Sequence, residues 1–196
     1  MRVAWIAARA TLLSLLVLGL AYPLATTAVA ALLFPGRAGG SLVLDEGGRV
    51  VGSRLLAQRF TSPAYFQPRP SAAGGGYDPL ASGGSNLGPA SQKLHDRAAA
   101  DAARLLSANP EAGPVPAELV LASGSGLDPD ISPAAALWQV PRVARARDLP
   151  AARVRAAVAA AVEERDLGLL GERRVNVLLL NLALDRQFGA PPPPAR

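Results

Sequence analysis

Residues 10 to 36 carry no charged side chain, and this stretch constrains the fold more than any other feature. As a helix it would run about 40 Å, beyond the ~30 Å of a hydrocarbon core. A helix satisfies its backbone polar groups internally, so such a stretch is at home in lipid. A cleaved leader is the rival reading, because Ala28-Val29-Ala30 has the small-x-small form of a signal-peptidase site. Against cleavage, the apolar run from Ala10 to Ala30 exceeds an ordinary leader core, and Ala31, Leu32, Leu33 and Phe34 prolong it. The expected order is a short N-terminus over 1–9, a transmembrane helix over 10–34, a folded domain over 38–188 and a disordered proline-rich tail over 189–196.

Arg2 and Arg9 precede the segment; Arg37 follows it, with Asp45 and Glu46 nearby. The positive-inside rule then puts the N-terminus in the cytoplasm and the domain outside a cell (inner or plasma) membrane. Ala21, Ala25 and Ala28 share one helical face beside Thr26 and Thr27, small enough for a second helix to approach closely. An alanine-rich composition produces the same pattern without any partner. Pro23 is expected to kink the helix.

From residue 38 onward 17 basic residues stand against 15 acidic ones, too even for a nucleic-acid footprint. The chain has no cysteine, which excludes disulfides, thiolate metal sites and cysteine nucleophiles. Strand and helix signals are mixed, giving an α+β expectation. Ser41 to Leu44 and Arg49 to Val51 flank Asp45-Glu46-Gly47-Gly48 as a hairpin, whose second arm can extend through Phe60. Thr61 to Pro89 has little periodicity, and an irregular stretch of that length is usually functional or bound to something. Ser91 opens a helix that Asn109-Pro110 stops, with Leu94, Ala98, Ala102 and Leu105 as its apolar stripe. Glu118 to Ala122 reads as a short buried strand. Ser132-Pro133 starts a helix that Pro141 kinks or divides, and Pro150 to Glu164 reads as another. Asn176 to Arg186 has helical spacing, with a strand through Val175 to Leu180 as the alternative.

No catalytic constellation closes. His95 is the only histidine and has no ligand spacing around it. Asp128 and Asp130 are too few for a cation site. Two glycine-rich loops remain, Ser82-Gly83-Gly84-Ser85-Asn86-Leu87-Gly88 and Ser123-Gly124-Ser125-Gly126-Leu127-Asp128. Bare N–H groups before a helix attract anions, but Lys93 lacks the spacing of a phosphate-binding P-loop. The other reading of the first loop is a tight turn, its glycines supplying positive φ.

Taken together, several blocks resemble the C-subunit (KdpC) family of the Kdp potassium-transporting ATPase. They are Tyr22-Pro23-Leu24, Gly52-Ser53 with Gln58 and Phe60, Tyr65-Phe66 with Arg69-Pro70-Ser71-Ala72, and Ala81 to Leu87. They continue as Ala122-Ser123, Ser125 to Asp128, Ile131-Ser132-Pro133, Gln139 to Ala144, Ala146-Arg147, Val175-Asn176-Val177, Leu180-Asn181 and Leu184-Asp185. The match spans nearly the whole chain except the tail. Ala90-Ser91-Gln92 departs from the Thr/Ser-Asn-Pro run common in the family.

The resemblance implies a membrane complex with a potassium-selective channel-like subunit and an ATP-hydrolysing P-type subunit as partners. It implies an accessory, non-hydrolysing subunit needed for assembly and described as a catalytic chaperone that raises ATP affinity in its partner. No cofactor of its own is expected; ATP enters through the complex. Under the chaperone description Ser82, Gly83, Gly84, Ser85 and Asn86 touch nucleotide. The competing expectation is an outer-face domain that gates or shields the potassium entrance, with that loop touching another subunit. Tyr65, Phe66, Arg69, Ser125, Gly126 and Asp128 are further partner-contact candidates, and Ala21, Ala25 and Ala28 candidates for helix packing in the membrane. No catalytic or metal residue is assigned. A cytoplasmic nucleotide-binding domain and an exported solute-binding domain released at Ala30 are the other classes in view.

Overall fold

The computed structural model describes residues 1–45 and 47–191. The proline-rich end expected to be disordered therefore lies mostly outside the described residues, as does Glu46 of the expected hairpin turn. The chain divides into two compact units, Met1–Ser53 and Arg54–Arg196.

In the first unit, helix α1 (Arg2–Leu16), a π turn (Val17–Ala21) and helix α2 (Tyr22–Leu33) form one continuous apolar rod. It is long and apolar enough to cross a membrane, and its side chains are exposed within the chain. Pro23 cannot donate to the carbonyl four residues earlier, and its ring crowds that turn. The wide turn immediately upstream accommodates this, so the helix continues through Pro23. Thr26 Oγ1 back-bonds to the carbonyls of Tyr22 and Pro23 at 3.0 Å. A short helical turn, α3 (Pro35–Ala38), leads to the antiparallel hairpin β1 (Leu42–Leu44) and β2 (Val50–Ser53). Asp45 closes its turn by accepting from the N–H groups of Gly47 and Arg49 at 2.9 Å. The second arm stops at Ser53, and no strand runs on to Phe60.

The second unit packs helices against a small sheet, the α+β class expected. Its elements are α4 (Gln92–Ala108), β3 (Asp130–Ile131), α5 (Pro133–Ala146), α6 (Ala151–Ala160), β4 (Val162–Glu163), β5 (Arg174–Asn176) and α7 (Val177–Phe188). The strands run antiparallel in the order β3-β5-β4. Helix α5 packs on α6 and α6 on α7. The core between them holds Phe66, Ile131, Val140, Val143, Val154, Val158, Val175, Leu180 and Leu184. Burial of this cluster is what drives such short strands to pair, because a two-residue strand has too few ladder bonds to hold itself.

Three sequence expectations change here. Glu118 to Ala122 is no strand: Ala117–Leu119 is a 3-10 turn, and Glu118 faces Ser132, accepting from its backbone N–H at 3.0 Å and from its hydroxyl. Pro141 does not divide α5, which runs unbroken to Ala146. The bond it forfeits belongs to Leu137, which faces solvent. The helix from Pro150 stops at Ala160, and Val162–Glu163 turns into β4 because β5 offers an edge. At the last segment both readings hold in succession. Arg174–Asn176 is strand, and Asn176 then caps α7 by accepting from Leu179 N–H at 3.2 Å.

Candidate functional site

The two glycine loops meet. Gly83 N–H and Ser82 Oγ both donate to the carbonyl of Ser125, at 2.8 and 2.9 Å. Gly84 lies against the other loop so closely that a Cβ there would come 2.9 Å from Gly124 O. Gly126 has φ of 69°, and a Cβ on it would sit 2.7 Å from Ala73 N and from Gly83 O. The glycines serve a close backbone approach. In the first loop the left-handed residue is Asn86, at φ 50°, and Gly83, Gly84 and Gly88 are not left-handed. Asparagine tolerates that region through its short polar side chain.

Around this joint the chain is tied to itself. Ser71 Oγ accepts from Tyr77 N–H at 2.8 Å, and the Tyr77 hydroxyl donates to Arg69 O at 2.8 Å. Burial pushes the Tyr77 phenol above its ordinary pKa. Arg69 reaches across to Asp128 at 3.3 Å and to Ala122 O at 3.4 Å. Ser123 N–H donates to Pro70 O, and Ala57 N–H to Leu127 O. Arg69, Ser82, Gly83, Gly84, Ser125, Gly126 and Asp128 thus come together in one polar pad. Ser85 is half-buried beside it and Asn86 is exposed. A cavity of about 360 Å³ opens nearby, lined by Arg59, Phe60, Gln67, Tyr77, Arg104 and Gln139 among others. Ser82 to Asn86 do not line it.

Tyr65 and Phe66 are elsewhere, where α5 and α7 converge. Phe66 has no exposed surface, so its side chain is core, and a partner can feel it only through the fold it supports. Its backbone is held as a strand would be, but by a side chain: Asn181 accepts from Phe66 N–H at 2.8 Å and donates to Phe66 O at 3.0 Å. Gln139 repeats the arrangement on Gln67, at 2.9 and 3.0 Å. Arg142 donates to Pro63 O, Tyr65 O and Gln139 Oε1. Burial, with a contribution from Arg104, lowers the Arg142 pKa to about 10, which leaves it charged at neutral pH.

The Tyr65 hydroxyl donates to Asp185 at 2.8 Å, and Asp185 pairs with Arg147 at 2.7 Å. The Arg147 guanidinium lies 5.0 Å from the Tyr65 ring centre. Burial first, then the Asp185 carboxylate, pushes the phenol up to about 12. Gln139, Arg142, Arg147, Asn181 and Asp185, which build this clamp, have no role assigned from the sequence. The available signal was Asn181, a lone amide inside the apolar run of α7.

Among the described residues no group of three or more His, Cys, Asp or Glu side chains is placed to hold a metal. His95 is exposed on α4, its ring 3.2 Å from Pro89 O. Ala21, Ala25 and Ala28 lie on the exposed apolar rod of the first unit.

An apolar rod long enough to cross a membrane thus precedes an α+β unit whose polar residues mostly hold the chain to itself. Residues 4–186 match the family described as KdpC, K+-transporting ATPase, c chain. A Potassium-transporting ATPase KdpC subunit from Myxococcus xanthus is 61% identical over 187 residues, covering 95% of this chain and 89% of that one. Counterparts of the same name from Methylobacterium nodulans and Rhodospirillum rubrum are 56% and 57% identical. They cover 89% and 88% of this chain and 92% and 90% of their own lengths. The chain belongs to the KdpC family, the C subunits of the potassium-transporting ATPase.

Proposed function

We propose that the chain is an accessory, non-hydrolysing subunit of an ATP-driven potassium uptake pump, anchored by its apolar helix with the α+β unit on the outer side of the cell membrane. It works by contacts with the channel-like and ATP-hydrolysing subunits. The supporting observation is the joint between the glycine loops. Gly83 N–H and Ser82 Oγ, two donors a phosphate would need, are already directed at Ser125 O. A loop whose donors face inward suits a stiff contact surface better than an anion cradle.

The chaperone effect, a raised ATP affinity in the hydrolysing subunit, is then a coupling through that interface. Coupling is reciprocal: if this chain tightens ATP binding by some factor, ATP tightens the hold on this chain by the same factor. Measuring ATP affinity of the complex with and without the chain, and chain affinity with and without ATP, tests this; an ATP affinity unchanged by the chain rejects it. Sidedness is tested separately. The chain has no cysteine, so Arg155→Cys, exposed on α6, gives a single reporter. Labelling on intact cells by a membrane-impermeant thiol reagent is expected. Labelling only after permeabilisation overturns the outer placement.

A further inference from the structure

Between β4 and β5 the chain leaves the sheet in a tight excursion, residues 164–173, that nothing above uses. Its tip is a closed turn. Asp166 and Leu170 form a backbone bridge, with Asp166 N–H to Leu170 O and Leu170 N–H to Asp166 O both at 2.9 Å. Leu167 and Gly168 take positive φ of 55° and 75° to close it. The stem is braced by ion pairs, Arg165 with Glu172 at 2.9 Å and Arg173 with Glu164 at 2.8 Å, while Arg174 reaches Glu163 at 3.2 Å. The turn is therefore pre-shaped, and it turns its apolar side chains outward. Leu167, Leu169 and Leu170 are 91%, 81% and 62% exposed. Clustered apolar exposure of this kind marks an interaction site, and a rigid presentation lowers the ordering cost of binding.

We infer that the Leu167-Gly168-Leu169-Leu170 tip is a plug that seats in an apolar pocket on a partner subunit of the pump, an inference that rests on the accessory-subunit reading. Charge separates this from a lipid surface. Residues 163–174 hold four carboxylates against three guanidiniums, and those guanidiniums are paired within the stem or with Asp130. Anionic headgroups attract unpaired basic clusters, and interfacial anchors use Trp or Tyr; this tip has neither. A self-neutralised collar around an aliphatic tip suits the polar rim and apolar centre of a protein interface.

The test uses the full chain with Leu169→Cys carrying a polarity-sensitive fluorophore, and Arg155→Cys as the labelled control. Each is examined alone in detergent, alone in vesicles containing anionic lipid, and assembled with the other pump subunits. A blue shift at position 169 only on assembly is expected. Assembly of the Arg155-labelled chain with at least tenfold loss of assembly for the Leu169-labelled chain also supports the plug. A shift in vesicles alone assigns the tip to lipid, and a concentration-dependent shift in detergent assigns it to a second copy; either overturns the inference. Normal assembly with no shift at 169 overturns it too, and leaves the accessory-subunit reading standing. Failure of both labelled chains to assemble, where the unlabelled chain also fails, sinks that reading and the plug with it.

Discussion

Pro63 to Gln67 and Leu167 to Leu170 both lie outside regular secondary structure, yet they treat their backbones in opposite ways. The first gives its N–H and C=O groups to side chains of α5 and α7, and sinks Phe66 into the core. The second bonds only to itself and leaves its leucines in water. Irregular chain is therefore of two kinds here, distinguished by where the backbone hydrogen bonds go. The first kind holds the fold together. The second is free to meet something else without cost to the fold.

The contrast is sharpest at Asn181. Replacing it by Leu strands a buried donor and a buried acceptor on Phe66, at about 1–3 kcal/mol each, so a loss of ~2–6 kcal/mol is expected in denaturant unfolding of the detergent-solubilised chain. A loss under ~1 kcal/mol would mean the clamp is dispensable and would erase the distinction. Gly126→Val is next. It forces a β-branched residue into positive φ and against Ala73 and Gly83, with an expected cost of about 2–4 kcal/mol. Gly83→Ala meets nothing within 4 Å of its new Cβ and serves as the near-neutral comparison on the same joint.

Tyr65→Phe removes one hydrogen bond to a carboxylate, at about 1–2 kcal/mol near neutrality. Its pH signature is more telling. The folded phenol has a pKa of about 12 against an ordinary value of 10, so the folded chain holds this proton more tightly. That contribution is complete below pH 10 and is lost as pH rises through about 12. The variant should lose the latest phenolate absorbance change, and its stability should fall less between those limits than that of the parent; identical alkaline profiles would refute the assignment. Smallest of all, Leu169→Ser is expected to shift unfolding by less than ~0.5 kcal/mol, since the side chain touches solvent. A loss several times larger would show that the tip packs into its own unit.

The same contrast explains what could be read in the sequence. The apolar rod, the Ser132-Pro133 helix start, the stripe of α4 and the glycine loops follow from local patterns. The joint between the loops does not, because Gly84 and Gly124 are 40 positions apart and a glycine's need for close approach leaves no trace in its own neighbourhood. Tyr65 and Phe66 lie in an irregular stretch, and nothing in their own neighbourhood shows that α5 and α7 hold them. Short strands escaped for a similar reason: Val162–Glu163 becomes strand only because β5 lies beside it.

The π turn at Val17–Ala21 has a consequence for the membrane helix. On an uninterrupted α-helix, Ala10, Ser14, Ala21, Ala25 and Ala28 would fall in a single stripe of small residues. A wide turn takes up an extra residue and sets everything after it back by one step, about 100°. Ala10 and Ser14 are then out of phase with Ala21, Ala25 and Ala28. One span then carries two small-residue seams that are out of phase, one in each half of its length.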